Sequence, residues 1–170
     1  GHKSIGDCGS VTVFVEGISM LAAKAIQDWR LYSGQEASTR YVDFSQQAFL
    51  DPSNSEAGKE IVENWRKFYL EAQKPIQEHL KKQFPISEGE NQNIYDKAIA
   101  ARAFDITRSF LPAGATTNLA WRMNFRQFAD ELMLLRHHPL VEVRDIAEKT
   151  EEVLRELYPS SFGQERFENT

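Results

Sequence analysis

The sequence predicts an α+β fold, in which a small antiparallel sheet is packed with long helices. Segments rich in β-branched and aromatic residues are short, which limits the sheet to a few strands. Apolar residues recur at helical spacing along most of the remaining chain. The chain has 170 residues and is 41% hydrophobic, which is enough to bury one good core, so we expect a single domain over residues 1–170.

The first part of the chain alternates between expected strands and one helix. Residues 11–15 read VTVFV and are expected to form a strand. A helix is expected at residues 18–29, with Ser19 as its N-cap. Alternation of apolar and polar residues suggests a short strand at residues 41–44. The polar turn at residues 51–55 then marks the beginning of a long helix.

The rest of the chain is mainly helical. Residues 56–84 have one apolar face and one charged face, and Pro75 should kink or restart that helix. Residues 116–123 can form a further strand. Three more helices are predicted from apolar residues at helical spacing, at residues 94–111, 125–135 and 140–157.

The composition excludes several classes of function. The formal net charge is −5, so we expect neither a nucleic-acid surface nor binding to an anionic membrane, although local arginine clusters can hold a small anion. No apolar run approaches the length of a membrane span, and no secretory signal is visible. The single cysteine, Cys8, fits a reducing compartment, which predicts a cytoplasmic protein. The four scattered histidines do not form a metal-site pattern, so no metal is expected.

Residues 30–41, with the sequence RLYSGQEASTRY, are the most informative segment of the chain. They combine the guanidiniums of Arg30 and Arg40 with hydroxyl groups and the carboxylate of Glu36 around one glycine. Arginine forks and serine hydroxyls are suited to hold a phosphate or a carboxylate. A carboxylate beside them can accept from a sugar hydroxyl or a ring N–H. The segment is therefore predicted to bind an anionic ligand.

Other arginine-containing motifs lie further along the chain. Arg108 comes one turn before a Leu-Pro pair. Asn124 and Arg126 are two residues apart, so on a strand they would share one face. Arg136 follows ten residues after Arg126. Each position taken alone also fits a structural role, but together they supply several guanidiniums in a chain of negative net charge.

These motifs and others occur in a recognisable order. The segments are Gly1-His2-Lys3-Ser4 with Asp7, Arg30 with Gln35-Glu36, Ser38 and Arg40-Tyr41, Arg108-Ser109-Phe110-Leu111-Pro112, Asn124-Phe125-Arg126, Leu135-Arg136 and Glu142-Val143-Arg144. In this order, and over nearly the whole chain, they resemble the motifs of the flavin-dependent thymidylate synthases. The signature of that family runs R-H-R, then seven residues, then S, usually followed by R-Y.

The resemblance implies a specific chemistry. In this family NADPH-reduced FAD delivers hydride to a pyrimidine nucleotide, and methylene-tetrahydrofolate supplies the one-carbon unit. No enzyme nucleophile attacks the base, so Ser38 would be a substrate ligand. By match, the substrate would be bound by Glu36, Ser38, Arg40, Arg108 and Arg136. FAD would be lined by His2, Ser4, Asp7, Gln35, Asn124 and Arg126.

The resemblance also implies an assembly and a catalytic residue. Sites in the family form between subunits, so we expect a homo-oligomer in which Arg108 reaches the nucleotide from a neighbouring subunit. Arg136 would lie over the uracil carbonyl, where a cation stabilises the charge that develops during attack. By the same resemblance the nucleotide would be dUMP, or UMP as in the branch of the family that methylates either nucleotide at C5.

Departures from the family pattern leave other functions open. Asp28 and Trp29 occupy the positions of the first Arg and the His of R-H-R, and Asp7 replaces a longer glutamate. The chain also begins inside a family motif, so the usual N-terminal portion of the domain is expected to be missing. One alternative is a non-catalytic, degenerate half that gives structure or contacts to a competent partner half. Another is a plain helical interaction module.

Overall fold

The computed structural model describes residues 2–163, and this part of the chain contains six helices and three strands. The helices are α1 (Met20–Gln27), α2 (Glu56–Gln83), α3 (Gln92–Thr107), α4 (Phe125–Leu135), α5 (Val141–Leu157) and α6 (Pro159–Phe162). The strands are β1 (Ser10–Ser19), β2 (Ser33–Glu36) and β3 (Thr116–Asn124). Short 3-10 turns lie at Lys3–Cys8, Thr39–Tyr41 and Arg108–Phe110. Within residues 2–163, every helix is too short or too polar to span a membrane.

The chain is organised in two compact units. Unit 1 comprises Gly1–Glu36 and Asn118–Thr170, of which residues 2–36 and 118–163 are described. Unit 2 comprises Ala37–Thr117. The expectation that residues 1–170 act as a single domain stays a prediction.

The sheet has three strands in the order β1-β3-β2, and β2 is antiparallel to β3 with Ser33 opposite Arg122. The predicted small antiparallel sheet with long helices is confirmed. β1 continues to Ser19, beyond the predicted residues 11–15, and β3 confirms the strand predicted at residues 116–123. β2 was missed because its sequence, SGQE, has no β-branched or aromatic residue; its strand conformation comes from pairing with β3.

The strand predicted at residues 41–44 is wrong. The chain forms the 3-10 turn Thr39–Tyr41 there, and Ser38 Oγ accepts a hydrogen bond from the amide of Arg40 at 3.4 Å. Phe44 is buried without a strand partner and packs edge-on against Phe49, with ring centroids 5.3 Å apart. The apolar alternation in this segment therefore reflects a side chain anchored in a core rather than a pleated strand.

The first helix of unit 1 begins where β1 ends, at a junction held by Ser19. Ser19 Oγ accepts from the amide of Ala22 at 2.9 Å, which confirms Ser19 as the N-cap of α1. The same hydroxyl and the Ser19 amide donate to the carboxylate of Glu142 on α5, at 2.6 and 2.7 Å. A single buried serine thus joins β1, α1 and α5.

The core of unit 1 lies between the sheet and the helices α1, α4 and α5. Trp121 and Phe128 are fully buried, with ring centroids 4.4 Å apart. Aliphatic side chains complete this core: Ile26, Leu119, Leu132, Val143, Ala147 and Leu154. The bounds of α4 match the predicted residues 125–135, and α5 lies within the predicted residues 140–157.

Unit 2 is dominated by α2 and α3, which pack on each other. Ser55 caps α2 and Asn91 caps α3 through their side-chain oxygens. α2 continues through Pro75, so the predicted restart there is wrong. Proline has no backbone N–H, so the Glu71 carbonyl loses its hydrogen-bond donor in α2. Both Glu71 and Pro75 are exposed, so water can donate a hydrogen bond to that carbonyl instead.

Candidate functional site

Two arginines of unit 2 that the sequence predicted as substrate ligands meet at one carboxylate. Arg40 follows Ser38 in the 3-10 turn Thr39–Tyr41, and its guanidinium makes three hydrogen bonds to Asp105. Their lengths are 3.0 Å from Nε to Oδ1, 2.6 Å from Nη2 to Oδ1 and 2.7 Å from Nη2 to Oδ2. Arg108 Nε lies 3.6 Å from Oδ1 of the same Asp105. We call these three residues the Asp105 cluster.

The Asp105 cluster can accept an anionic ligand. Two guanidiniums face one carboxylate, so the cluster keeps an excess positive charge. The hydrogen bonds from Arg40 hold the pKa of Asp105 below its usual value, and Asp105 in turn raises the pKa of Arg40. The Arg40 and Asp105 side chains are 49% and 39% exposed, and ion pairs this accessible to water are weak. An anion with several oxygens can therefore compete for both guanidiniums.

Sequence reasoning missed Asp105 itself. The signal was present, because Asp105 and Arg108 are three residues apart on a predicted helix and such pairs are neighbours on its surface. The contact with Arg40 had no such signal, since it joins residues 65 positions apart. The expectation that Arg108 reaches a nucleotide in a neighbouring subunit stays a prediction.

In unit 1, the predicted residues Gln35 and Glu36 lie on β2. Glu36 Oε2 accepts from Gln27 Nε2 at 2.7 Å, which fixes this carboxylate at the edge of the sheet. Gln35 is exposed and pairs with Ala120 of β3. The strands come so close that a Cβ at Gly34 would collide with the carbonyl oxygen of Ala120, so this position of β2 requires glycine unless the strands shift.

The N-terminal residues predicted to line FAD lie at a 3-10 turn. His2 and Ser4 are exposed there. Asp7 accepts a hydrogen bond from Arg126 Nη1 at 3.0 Å, so the structure brings these two predicted residues together. Arg126 is the second residue of α4 and not part of a strand, so the inference that it shares a strand face with Asn124 is wrong. The pairing neutralises Asp7, which limits its repulsion of a nearby phosphate.

A cleft of about 360 Å³ lies on the sheet of unit 1, lined by Ser10, Leu31, Ser33, Arg122, Met123, Asn124 and Gln127. Asn124 was predicted as a FAD ligand, and its Oδ1 caps α4 by accepting from the Gln127 amide at 2.8 Å. The other polar members were not predicted. The pattern that could have found Arg122 is its position two residues before Asn124 on a strand, which places both on one face.

Arg136, the predicted catalytic residue, lies at the C-terminal end of α4. Its side chain is 16% exposed and its Nη1 is 3.4 Å from Oε2 of Glu151 on α5. Glu151 also accepts from Arg155 Nη2 at 2.9 Å, so two cations share this carboxylate. The Nε of Arg136 is buried without an acceptor among the described residues. Within residues 2–163, no hydrogen bond or ion pair joins Arg136 to the other predicted ligands.

The departures from the family signature lie at the end of α1. Asp28 is the exposed C-cap of the helix. Trp29 is half-buried against the core of unit 1, and its Nε1 is buried with no acceptor in the described part of the chain. The indole here serves packing, which a charged or polar ring would not do as well.

One further ionisable group was missed by sequence reasoning. Glu131 on α4 is 1% exposed, and neither carboxylate oxygen has a hydrogen-bond partner among residues 2–163. Burial raises the pKa of Glu131 from 4.5 to about 8. In the described residues, no group of three or more His, Cys, Asp or Glu side chains is arranged to hold a metal ion.

Comparison with known sequences agrees with the motifs. A family model described as thymidylate synthase complementing protein matches residues 1–160. A UPF0159 protein of Chlamydia muridarum is 32% identical over 94% of this chain and 32% of its own length. A flavin-dependent thymidylate synthase of Corynebacterium efficiens is 26% identical over 96% of this chain and 64% of its own length. The chain thus spans about a third of the length of the chlamydial relatives that it matches.

Solved structures share the fold. The UMP/dUMP methylase PolB from Streptomyces cacaoi, bound with 5-Br dUMP, gives a TM-score of 0.62 at 20% identity, over 95% of this chain and 73% of that chain. Flavin-dependent thymidylate synthase ThyX from Helicobacter pylori, complexed with FAD and dUMP, gives a TM-score of 0.54 at 18% identity, over 95% and 75%. With the match over residues 1–160, the chain belongs to the thymidylate synthase complementing protein family, that of the flavin-dependent thymidylate synthases.

Proposed function

We propose that this chain catalyses flavin-dependent C5 methylation of a uridine nucleotide, dUMP or UMP, with methylene-tetrahydrofolate as the one-carbon donor and NADPH as the reductant of FAD. The observation that carries the proposal is the Asp105 cluster, in which Arg40 and Arg108 meet at one carboxylate. A dianionic phosphate presents more oxygens and more charge to these guanidiniums than Asp105 does. The phosphate of a nucleotide would therefore take the place of the carboxylate.

The other substrate ligands complement a phosphate. The Ser38 hydroxyl caps the turn that carries Arg40, so a phosphate bound there would find a hydroxyl donor beside the guanidinium. Glu36 is an acceptor for a sugar hydroxyl or a ring N–H, and its bond from Gln27 fixes its orientation. Ser38 acts as a ligand and not as a nucleophile.

Arg136 would stabilise negative charge on the pyrimidine during the reaction. Glu151 pairs with both Arg136 and Arg155, so it neutralises neither cation fully. Low exposure strengthens the field of a charge at a reacting carbonyl. We propose this role for Arg136 as the catalytic residue of the chain.

The residues near the cleft of unit 1 suit a flavin dinucleotide. Hydroxyl and amide donors line the cleft beside Arg122. Outside the cleft lining, Arg126 pairs with the carboxylate of Asp7, so Asp7 would repel the diphosphate of a bound dinucleotide less than an unpaired carboxylate would. When bound, the reduced flavin supplies the hydride. His2, Ser4, Asp7, Gln35, Asn124 and Arg126 would hold it by hydrogen bonds and orient it.

We also propose the context in which the chain acts. Residues 1–170 would function as one domain in a cytoplasmic homo-oligomer whose nucleotide sites form between subunits. A second candidate function is a non-catalytic half that supports a competent partner half. It is favoured by Asp28 and Trp29, since the buried indole of Trp29 cannot donate a hydrogen bond to a flavin as an exposed histidine would.

Calorimetric titration of the whole chain with dUMP and UMP tests the phosphate site. Arg40→Ala and Arg108→Ala should each weaken nucleotide binding by about 10- to 150-fold, the range expected for one charged hydrogen-bonding partner. Lys81→Ala is the matched control, because it removes another exposed ion pair of unit 2, to Asp96, away from the Asp105 cluster. Nucleotide affinities that are equal in wild type and Arg40→Ala would exclude this site.

Activity separates the two candidate functions. A methylase should be purified with bound flavin and should release tritium from nucleotide labelled at C5. A non-catalytic half should bind no flavin, release no tritium and associate with a flavin-carrying partner.

A further inference from the structure

The 3-10 turn Lys3–Cys8, which we call the N-terminal turn, packs on the beginning of α4. The amide of Phe125, the first residue of α4, donates a hydrogen bond to the carbonyl of Gly9 at 3.1 Å. A Cβ at Gly6 would lie only 3.0 Å from the backbone nitrogen of Arg126. The N-terminal turn therefore comes within contact distance of the helix backbone.

Apolar packing contributes little to the hold of α4 on the N-terminal turn. No residue of the turn is buried, and its one large apolar side chain, Ile5, is 67% exposed. Two ion pairs join the turn to α4 instead. Lys3 Nζ is 2.5 Å from Oδ1 of Asp130. Arg126 Nη1 is 3.0 Å from Oδ2 of Asp7. The position of the turn therefore depends largely on these charges.

The order of the charges favours one orientation of the N-terminal turn. Lys3 and Asp7 are four residues apart on the turn. Arg126 and Asp130 are four residues apart on α4, so they lie on the same face of the helix. In the observed antiparallel arrangement each cation faces an anion. In the reverse orientation each charge would face a like charge, which is unfavourable. The two ion pairs thus select the register of the turn on α4.

We propose that Lys3 and Asp130 are positioning residues, which fix the N-terminal turn in register on α4 and thereby place His2 and Ser4. Lys3 lies between His2 and Ser4, so its anchoring restricts both of these exposed side chains. Asp130 acts through Lys3 and needs no contact with a ligand. The role of His2 and Ser4 as flavin ligands rests on the proposed function, whereas the register rests on the contacts between the turn and α4.

Reversal of the charge at Asp130 tests this role. In Asp130→Lys, Lys3 would face a like charge, so the fraction of molecules with the turn in place should fall. The affinity for FAD, measured by fluorescence titration of the whole chain, should fall with it by about 3- to 10-fold. The thermal unfolding temperature should stay near that of wild type, because the ion pair is exposed. The double variant Lys3→Glu/Asp130→Lys should bind FAD more tightly than Asp130→Lys, since opposite charges face each other again.

Asp96→Lys is the matched control, because it reverses the charge of another exposed lysine–aspartate pair, with Lys81 in unit 2. Three results would overturn the proposal. The first is an FAD affinity that is equal in wild type and Asp130→Lys. The second is a double variant that binds FAD no more tightly than Asp130→Lys. The third is an equal loss of FAD affinity in Asp96→Lys.

Hydrogen exchange of the Phe125 amide tests the register without a flavin. If wild type binds no flavin, the proposed function fails and this measurement decides. The amide is bonded to Gly9 while the N-terminal turn is in place, so its exchange should be faster in Asp130→Lys than in wild type. In the double variant the exchange should be slower again. Equal exchange rates in all three proteins would exclude the positioning role of Lys3 and Asp130.

Discussion

We expect the free energy of unfolding of this protein to fall as the pH rises from 5 to 8, because of the buried carboxyl group of Glu131. This side chain lies on α4 and is 1% exposed, and its oxygens have no hydrogen-bond partner among residues 2–163. Burial raises its pKa to about 8, and Trp121 opposes that rise only in part. The indole N–H of Trp121 is directed at Sδ of Met123, 3.0 Å away, so it does little for the carboxylate.

The size and sign of the effect follow from that pKa. Between pH 4.5 and 8 the folded chain keeps a proton on Glu131 that the unfolded chain has released. Raising the pH therefore favours unfolding, by up to about 1.4 kcal/mol for each pH unit. Over the interval from 4.5 to about 8 the loss amounts to ~5 kcal/mol, and above it no further loss occurs. Below pH 4.5 the group is neutral in both states and its contribution is constant.

Urea unfolding at several pH values between 5.5 and 8 would measure this loss. Glu131→Leu should remove the pH dependence that Glu131 causes and should exceed wild type in stability by several kcal/mol at pH 8. Carboxylates with lowered pKa, such as Asp51 and Asp96, titrate below this window and do not contribute. The exposed Glu148→Gln on α5 is the control and should follow wild type. Parallel stability profiles for wild type and Glu131→Leu would refute the reasoning.

Two further predictions concern unit 1, one for its glycines and one for the serine that caps α1. Gly34→Ala should lower the free energy of unfolding by about 2 kcal/mol or more, because its Cβ would collide with the Ala120 carbonyl oxygen. Gly17 has φ +66° but open space around it, so Gly17→Ala should lower the free energy of unfolding by only about 1 kcal/mol. A larger loss of thermal stability for Gly17→Ala than for Gly34→Ala would contradict this account. Ser19→Ala should cost about 1–2 kcal/mol, because it removes the cap of α1 and a bond to Glu142. The exposed Ser109→Ala should change stability by less than about 0.5 kcal/mol, and an equal effect would rule out the capping role.

Long, periodic elements of the fold could be predicted from sequence, whereas short ones could not. The bounds of α4 and β3 follow from patterns that extend over nine or more residues. β2 has four residues and exists because β3 offers it hydrogen-bonding partners, which no local pattern encodes. The alternation at residues 41–44 was misleading because it is short. A four-residue pattern of this kind fits a turn with one buried ring as well as it fits a strand.

In the candidate site, the residues could be predicted from the motifs, but their contacts could not. The motif order identified Arg40 and Arg108, but their common partner Asp105 depends on a contact across 65 residues. The ion pair between Asp7 and Arg126 joins residues 119 apart, so no local pattern could show that it limits the repulsion between Asp7 and a nearby phosphate. Glu131 could not be found from sequence, because an ionisable residue on an amphipathic helix is normally exposed and only the packing places it inside.

The Asp105 cluster has a consequence for the kinetics of ligand binding. Because Arg40 already holds a carboxylate of the same chain, binding of a phosphate there is an exchange of one anion for another, not the filling of an open positive site. Association would then proceed through conformations in which Asp105 has moved away from Arg40, which a pair this accessible to water reaches often. An anion that binds Arg40 and Arg108 more weakly than Asp105 does would not displace this carboxylate. An internal carboxylate can thus act as a filter on which anions reach the two arginines.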